Sequence, residues 1–266
     1  MKKEAITLFI FFTSIFSSIG QDCNYKYYNY WSSRALIDYS ENKFLEANNH
    51  FKSAFTKADF AFGSDLAIAL ETALKTKDTI WAKSLSIELA KGGIPIEFFD
   101  SFKKMSWYTQ FESEYPIYQN YYKEEFDLEL RDKILELKFQ DSLFNENYHK
   151  WRKGEIEMSL DELIKGAKMI TDGFKSIIKE HSFPCEQKMG YYFKEGRVQP
   201  FPITIILIHI YQRGELLYRD RLGNIVCDGK LKPTDQALLN RFKGFGDNTG
   251  VEQEMKIRYN QYRPKN

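Results

Sequence analysis

Three side chains in the C-terminal third have types and a spacing suited to proton transfer: His209, Gln212 and Glu215. On one helix, positions i, i+3 and i+6 step round the axis by about 60° per three residues. His209 and Gln212 then share a face. An imidazole exchanges its proton near neutral pH, and a neighbouring amide and carboxylate can orient it for general acid–base catalysis. Asp228 and Asp235 are further candidates to orient it. Such a set would serve a hydrolase-like enzyme with His209 as general base. The plainer reading is a histidine hydrogen-bonded within an apolar helix.

The other histidines carry less. His181 precedes Cys185 by four residues, which suggests a thiol–imidazole pair, but Pro184 between them gives it no fixed geometry. His50 and His149 sit in polar surroundings and are expected at the surface. No Cys or His pair has metal-ligand spacing, so no structural zinc and no cofactor is expected. Phosphate-loop, zinc-protease and serine-hydrolase signatures are missing from the chain. The run Gly244–Gly250 misses the dinucleotide fingerprint by one place and follows a helix rather than a strand.

The 266 residues include 38 Lys+Arg and 37 Asp+Glu. A nucleic-acid binder would show a basic excess or stripe, so no nucleic-acid partner is expected. The start of the chain reads as an address label. Lys2 and Lys3 precede a mostly apolar stretch, and Ser18-Ile19-Gly20 places small residues at a cleavage site. Residues 1–20 are therefore read as a secretory signal peptide cut after Gly20, which makes the protein exported, periplasmic or extracellular. No later segment reaches spanning length, so no transmembrane segment is expected after cleavage. Asp22 and Gly20 are wrong for lipid attachment at Cys23. An exported chain with Cys23, Cys185 and Cys227 has room for one disulfide. Cys185–Cys227 is the expected pair, since both lie in the C-terminal half.

The elements that would position these groups are mostly helical. Trp31, Ala35, Ala47, Phe51 and Ala54 fit two helices, Trp31–Ser40 and Phe44–Thr56, joined by the polar turn Glu41-Asn42-Lys43. Small residues at Ala35 and Ala47 would let the helices approach, with Trp31 and Phe51 filling the groove. A weaker second copy has Leu66, Leu70 and Ala73 before Trp81, Ala82, Leu85 and Leu89, turning at Lys77-Asp78. Gly92-Gly93 and Pro95 end it. Segment 96–140 would cover the open end. Its aromatic stripe, Trp107, Phe111, Tyr115, Tyr118 and Tyr122, is read as packing between helices rather than a peptide or glycan groove. The stripe is interrupted by Pro116.

The polar segment 145–158 reads as a boundary. Ser159-Leu160-Asp161-Glu162 is a capping box that starts a long amphipathic helix, ending at Ser182-Phe183-Pro184. Segment 203–211 is β-branched yet long enough for a buried helix. Segment 222–228 is read as a short strand or turn, and Pro233-Thr234-Asp235 as another helix start. The tail, 244–266, is expected to be irregular.

The pattern large-x3-small-x11-Ala-x3-Phe-x2-Ala at Trp31–Ala54 resembles a tetratricopeptide repeat. Ala82 lies 35 residues after Ala47, near the 34-residue period. Over Trp31–Phe242 the chain, through "HSFPCEQKMG", "IILIHIYQRGELL" and "VCDGKLKPTDQALLNRF", also resembles an uncharacterised bacterial envelope family. That family carries Gly-x-Pro, then Gly, after its central helix. Here Ser182 stands in the first Gly place, while Pro184 and Gly190 match. His209 and Gly229 match as well, whereas Ile208 replaces a polar residue and Asn240-Arg241 replaces Asp-Arg. The resemblance implies an α-solenoid of degenerate tetratricopeptide-like repeats over 24–140 and a second small helical domain over 159–243. The expected role is a non-catalytic scaffold of the cell envelope that binds a protein or peptide partner through the repeat half. The hydrolase-like enzyme is the alternative.

Overall fold

The computed structural model describes Cys23, residues 25–241 and residues 249–262. The expected signal segment 1–20, its cleavage point after Gly20, and residues 244–248 lie outside the described residues. The described chain is mostly α-helical, with one two-stranded hairpin. Among the described residues, no helix is long and apolar enough to cross a membrane.

Helices α1 (Lys26–Ser40) and α2 (Phe44–Phe55) pack together, as do α3 (Gly63–Lys75) and α4 (Thr79–Lys91). Ala35, Ala47, Phe51 and Ala54 are all fully buried. Both pairs turn in the same way. Lys43 N donates to Asp38 O (2.8 Å) and Asp78 N to Ala73 O (2.8 Å), each closing a left-handed helix end at Asn42 and Lys77. Gly93 ends α4 with the same bonds, from Gly93 N to Ala90 O (3.1 Å) and from Ile94 N to Leu89 O (3.1 Å).

Segment Ile96–Phe102 is a 3-10 helix, and α5 (Tyr108–Glu125) continues through Pro116. Trp107, Phe111 and Tyr118 are buried in one cluster with Leu66, Leu89 and Phe99. Those three are core, Tyr115 packs partly buried against them, and Tyr122 is half-buried outside the cluster.

The expected boundary at 145–158 gives way to helix α6 (Leu128–Arg152), 25 residues long, which runs through most of it. Within it Tyr148 and Trp151 are buried, and Asn145 turns inward while Glu146 and His149 are exposed. Helix α7 (Leu160–His181) starts with both bonds of its capping box formed at Ser159 and Glu162. After the one-turn α8 (Glu186–Met189) come β1 (Tyr192–Lys194) and β2 (Arg197–Gln199), antiparallel with Phe193 opposite Val198. Glu195 and Gly196 both have positive φ, the requirement of a tight two-residue hairpin turn.

Segment 203–212 is helix α9 (Ile203–Gln212), despite its β-branched run. Six of its ten residues are buried, and packing on nearly every side overrides the weak local preference. Segment 222–227 is helix α10 (Leu222–Cys227) rather than a strand, and α11 (Pro233–Arg241) follows. The tail is not irregular throughout, because α12 (Val251–Tyr262) packs on α7. Val251 and Met255 are buried, and this i, i+4 face is what makes the helix.

The two halves of the chain are stitched together. The expected Cys185–Cys227 disulfide is not formed. Cys23 is bonded to Cys227 across 204 positions, with 4.6 Å between Cα atoms, and Cys185 is free and buried. The N-terminus folds back on α10, where Tyr25 N donates to Cys227 O (3.2 Å), so proximity in sequence was the wrong guide. Gly190 sits at φ +72 with Gly92 O only 2.6 Å from where a Cβ would stand. The next residue's N–H, on Tyr191, donates to that same carbonyl at 2.7 Å.

Candidate functional site

His209 lies near the end of α9, half-buried, and its Nδ1 is 2.6 Å from Oδ2 of Asp141 on α6. Asp141 is fully buried. Its Oδ1 accepts from Arg213 Nη2 at 2.7 Å, and Arg213 Nη2 also donates to Asn145 Oδ1 at 2.9 Å. Burial pushes the Asp141 pKa up. The His209 hydrogen bond and the Arg213 charge outweigh burial and hold the pKa below the usual carboxylate value. Burial lowers the pKa of Arg213, against the pull of Asp141.

The pairing decides the tautomer. Asn145 Nδ2 also approaches His209 Nδ1, at 2.7 Å, but a nitrogen cannot donate to the carboxylate and accept from the amide at once. With Asp141 ionised, the charge-assisted bond wins and Nδ1 carries the proton. In neutral His209 the lone pair is then on Nε2, which has no hydrogen-bond partner among the described residues.

His209 opens onto a cavity of about 640 Å³ between α6, the end of α9 and α12. Tyr148, His149, Arg152, Gln212 and Arg258 also border it. Its aromatic wall belongs to a cluster of Phe144, Tyr148, Trp151, Leu163 and Met255. Gly166 of α7 admits the Phe144 ring, which comes within 2.4 Å of where a Cβ would stand. That ring in turn lies 4.7 Å from the Arg213 guanidinium carbon. Arg258 pairs with Glu254 at 2.7 Å and donates to the Gln212 carbonyl, which fixes α12 against α9. Ser142 shares the cavity edge and accepts a hydrogen bond from Lys138.

The sequence-derived set divides. His209 and Gln212 share the cavity, but α9 stops at Gln212 and Gly214 turns the chain at φ +90. Glu215 leaves the site and pairs with Lys175. Asp228 pairs with Lys230 (2.9 Å), and Asp235 accepts from Lys232 N (3.0 Å), so neither orients His209. His181 hydrogen-bonds Asp127 (3.0 Å) rather than Cys185. His149 is exposed, as its polar surroundings suggest, whereas His50 is half-buried, bonded to Asp38 (2.6 Å) and stacked on Trp31.

Asp141 and Arg213 were missed. One signal was present: Asp141 shares a helix face with Leu137 and Phe144, and a charge on an apolar face must find a partner. Among the described residues, no cluster of His, Cys, Asp and Glu could hold a metal ion.

Comparison with protein families, with curated proteins and with solved structures found no match. The tetratricopeptide and envelope-family resemblances therefore rest on the residues quoted for them.

Proposed function

We propose that the protein is a hydrolase-like enzyme in which His209, oriented by Asp141, acts as the general base. The observation that carries this is the Nδ1–Asp141 bond, which leaves Nε2 as an acceptor beside a cavity. Nε2 takes a proton from a water molecule as the water oxygen bonds to a carbonyl or phosphoryl centre. Asp141 stabilises the imidazolium that forms. The leaving group departs with the bonding electron pair and receives that proton. An exported location accords with the Cys23–Cys227 bond, because a cystine persists in oxidising compartments.

The test is turnover of nitrophenyl esters and nitrophenyl phosphate by the full chain, its His209→Gln variant and its Asp141→Asn variant. A loss of about 100-fold or more in His209→Gln is expected. Undiminished turnover in that variant, or turnover of neither substrate class, overturns the reading.

A second reading, the non-catalytic scaffold with a protein or peptide partner, draws on the repeat half. The like turns at Asn42, Lys77 and Gly93 support stacked helical pairs. Phe60, Trp81 and Tyr121 there, with Tyr191 of the C-terminal half, line a cleft of about 320 Å³. Affinity capture from envelope extract with the full chain and with Trp81→Ala tests it. Capture of no protein, or equal capture by both, counts against it.

A further inference from the structure

The cavity beside His209 holds more positive charge than its carboxylates answer. Arg258 is matched by Glu254, and Asp141 is already shared between Arg213 and His209. Lys138 and Arg152 also border the cavity, and neither makes an ion pair among the described residues. Arg152 places its guanidinium carbon 4.3 Å from the Tyr262 ring centre and 5.9 Å from that of Tyr148. Stacking on ring faces holds the guanidinium plane and leaves its edge donors free.

The floor carries a second, independent sign. Arg213 is 3% exposed, and its Nη1 is buried with no hydrogen-bond partner. The Phe144 ring beside it takes part of the charge but offers no lone pair. A buried guanidinium N–H without an acceptor is costly, and this one is covered, so Arg213 adds positive charge beneath the cavity rather than a contact within it.

We infer that this cavity binds a small ligand bearing an oxyanion, phosphate or carboxylate, received by Arg152 and Lys138 above the buried charge of Arg213. The inference rests on the His209 cavity being a ligand site and adds the chemical class of the ligand. A planar guanidinium with free edge donors matches the two oxygens of such a group. A cationic ligand would meet uncompensated like charge.

The test is calorimetric titration of the full chain at low salt with inorganic phosphate and, separately, with acetate. Arg152→Gln is the site variant. Lys165→Gln, an exposed lysine outside the cavity, is the charge control. Saturable binding of either anion is expected, weakened by about tenfold in Arg152→Gln and unchanged in Lys165→Gln. Phosphate binding alone would assign the ligand to the phosphate class, and binding of both to oxyanions in general. Binding of neither anion, equal binding in Arg152→Gln, or an equal loss in Lys165→Gln overturns the inference. Nitrogen NMR of the histidine rings during the titration separates it from the acid–base reading. Anion binding that leaves His209 unmoved defeats His209 as a base beside the ligand and leaves the anion site standing. No anion binding, with turnover still lost in His209→Gln, defeats the anion site alone.

Discussion

Oδ2 of Asp141 lies 2.6 Å from Nδ1 of His209, joining α6 to α9 across 68 positions of the chain. The same carboxylate answers the charge of Arg213, so two functional groups depend on one buried residue. Asp141→Asn keeps the volume but removes the counter-charge. It is expected to cost about 3 kcal/mol in urea denaturation, because Arg213 then stays buried and unpaired. Replacing both, as Asp141→Leu with Arg213→Met, is expected to cost less than Asp141→Leu alone. Additive losses would show that the two residues are not coupled.

Local signals made much of the helix pattern legible. The capping box at Ser159 and the Ala35, Ala47 and Phe51 spacing each depend on residues within a few turns of one another. The candidate site was legible only in part. His209 and Gln212 announce themselves on one helix, but Asp141 joins them only once α6 and α9 are packed. Cys23 failed for the same reason: its partner is chosen by how the N-terminus folds back. Glu215 misled because nothing in the helical spacing told that Gly214 would end α9 before it.

Ser182 occupies φ +64 and ψ −173 at the end of α7, a conformation nearly confined to glycine. Its hydroxyl accepts a hydrogen bond from Lys188 at an exposed position, which holds little energy. Ser182→Gly relieves backbone strain and gains some unfolded-state freedom, which partly offsets the relief. A net stabilisation of about 1 kcal/mol is expected from denaturant midpoints. A destabilised variant would mean that the hydroxyl outweighs the strain.

The Cys23–Cys227 bond closes a loop of 204 positions and ties α1 to α10. Denatured, unreduced protein is expected to show one reactive thiol per chain, from Cys185, and reduction should expose the other two. Cys23→Ser and Cys227→Ser should destabilise alike, by about 2–5 kcal/mol. Mass mapping that finds Cys185 in a cystine would contradict the pairing.

Glu186 is buried where the two halves meet, and its carboxylate accepts from Gly63 N at 2.8 Å, at the start of α3. Beside it Lys232 is held by Asp65 (2.5 Å) and Ser64 (2.7 Å). Burial is the main influence and raises the Glu186 pKa to about 7, while the Gly63 bond and the Lys232 charge oppose it. The folded protein thus holds a proton that the unfolded chain releases near 4.5. The stabilisation from that proton is complete below about 4.5 and is lost as pH rises to about 7. Above that, both states are ionised and the folded one bears the full cost of a buried charge. A gap of this size corresponds to about 3 kcal/mol. Glu186→Gln keeps an oxygen for Gly63 and carries no charge. It is therefore expected to match the native chain in urea denaturation at acid pH and to exceed it on the alkaline side of neutrality. A variant equally stable to the native chain at both pH values would show that Glu186 is solvated in the folded state, and a variant weaker at both would show that the carboxylate is needed for Gly63.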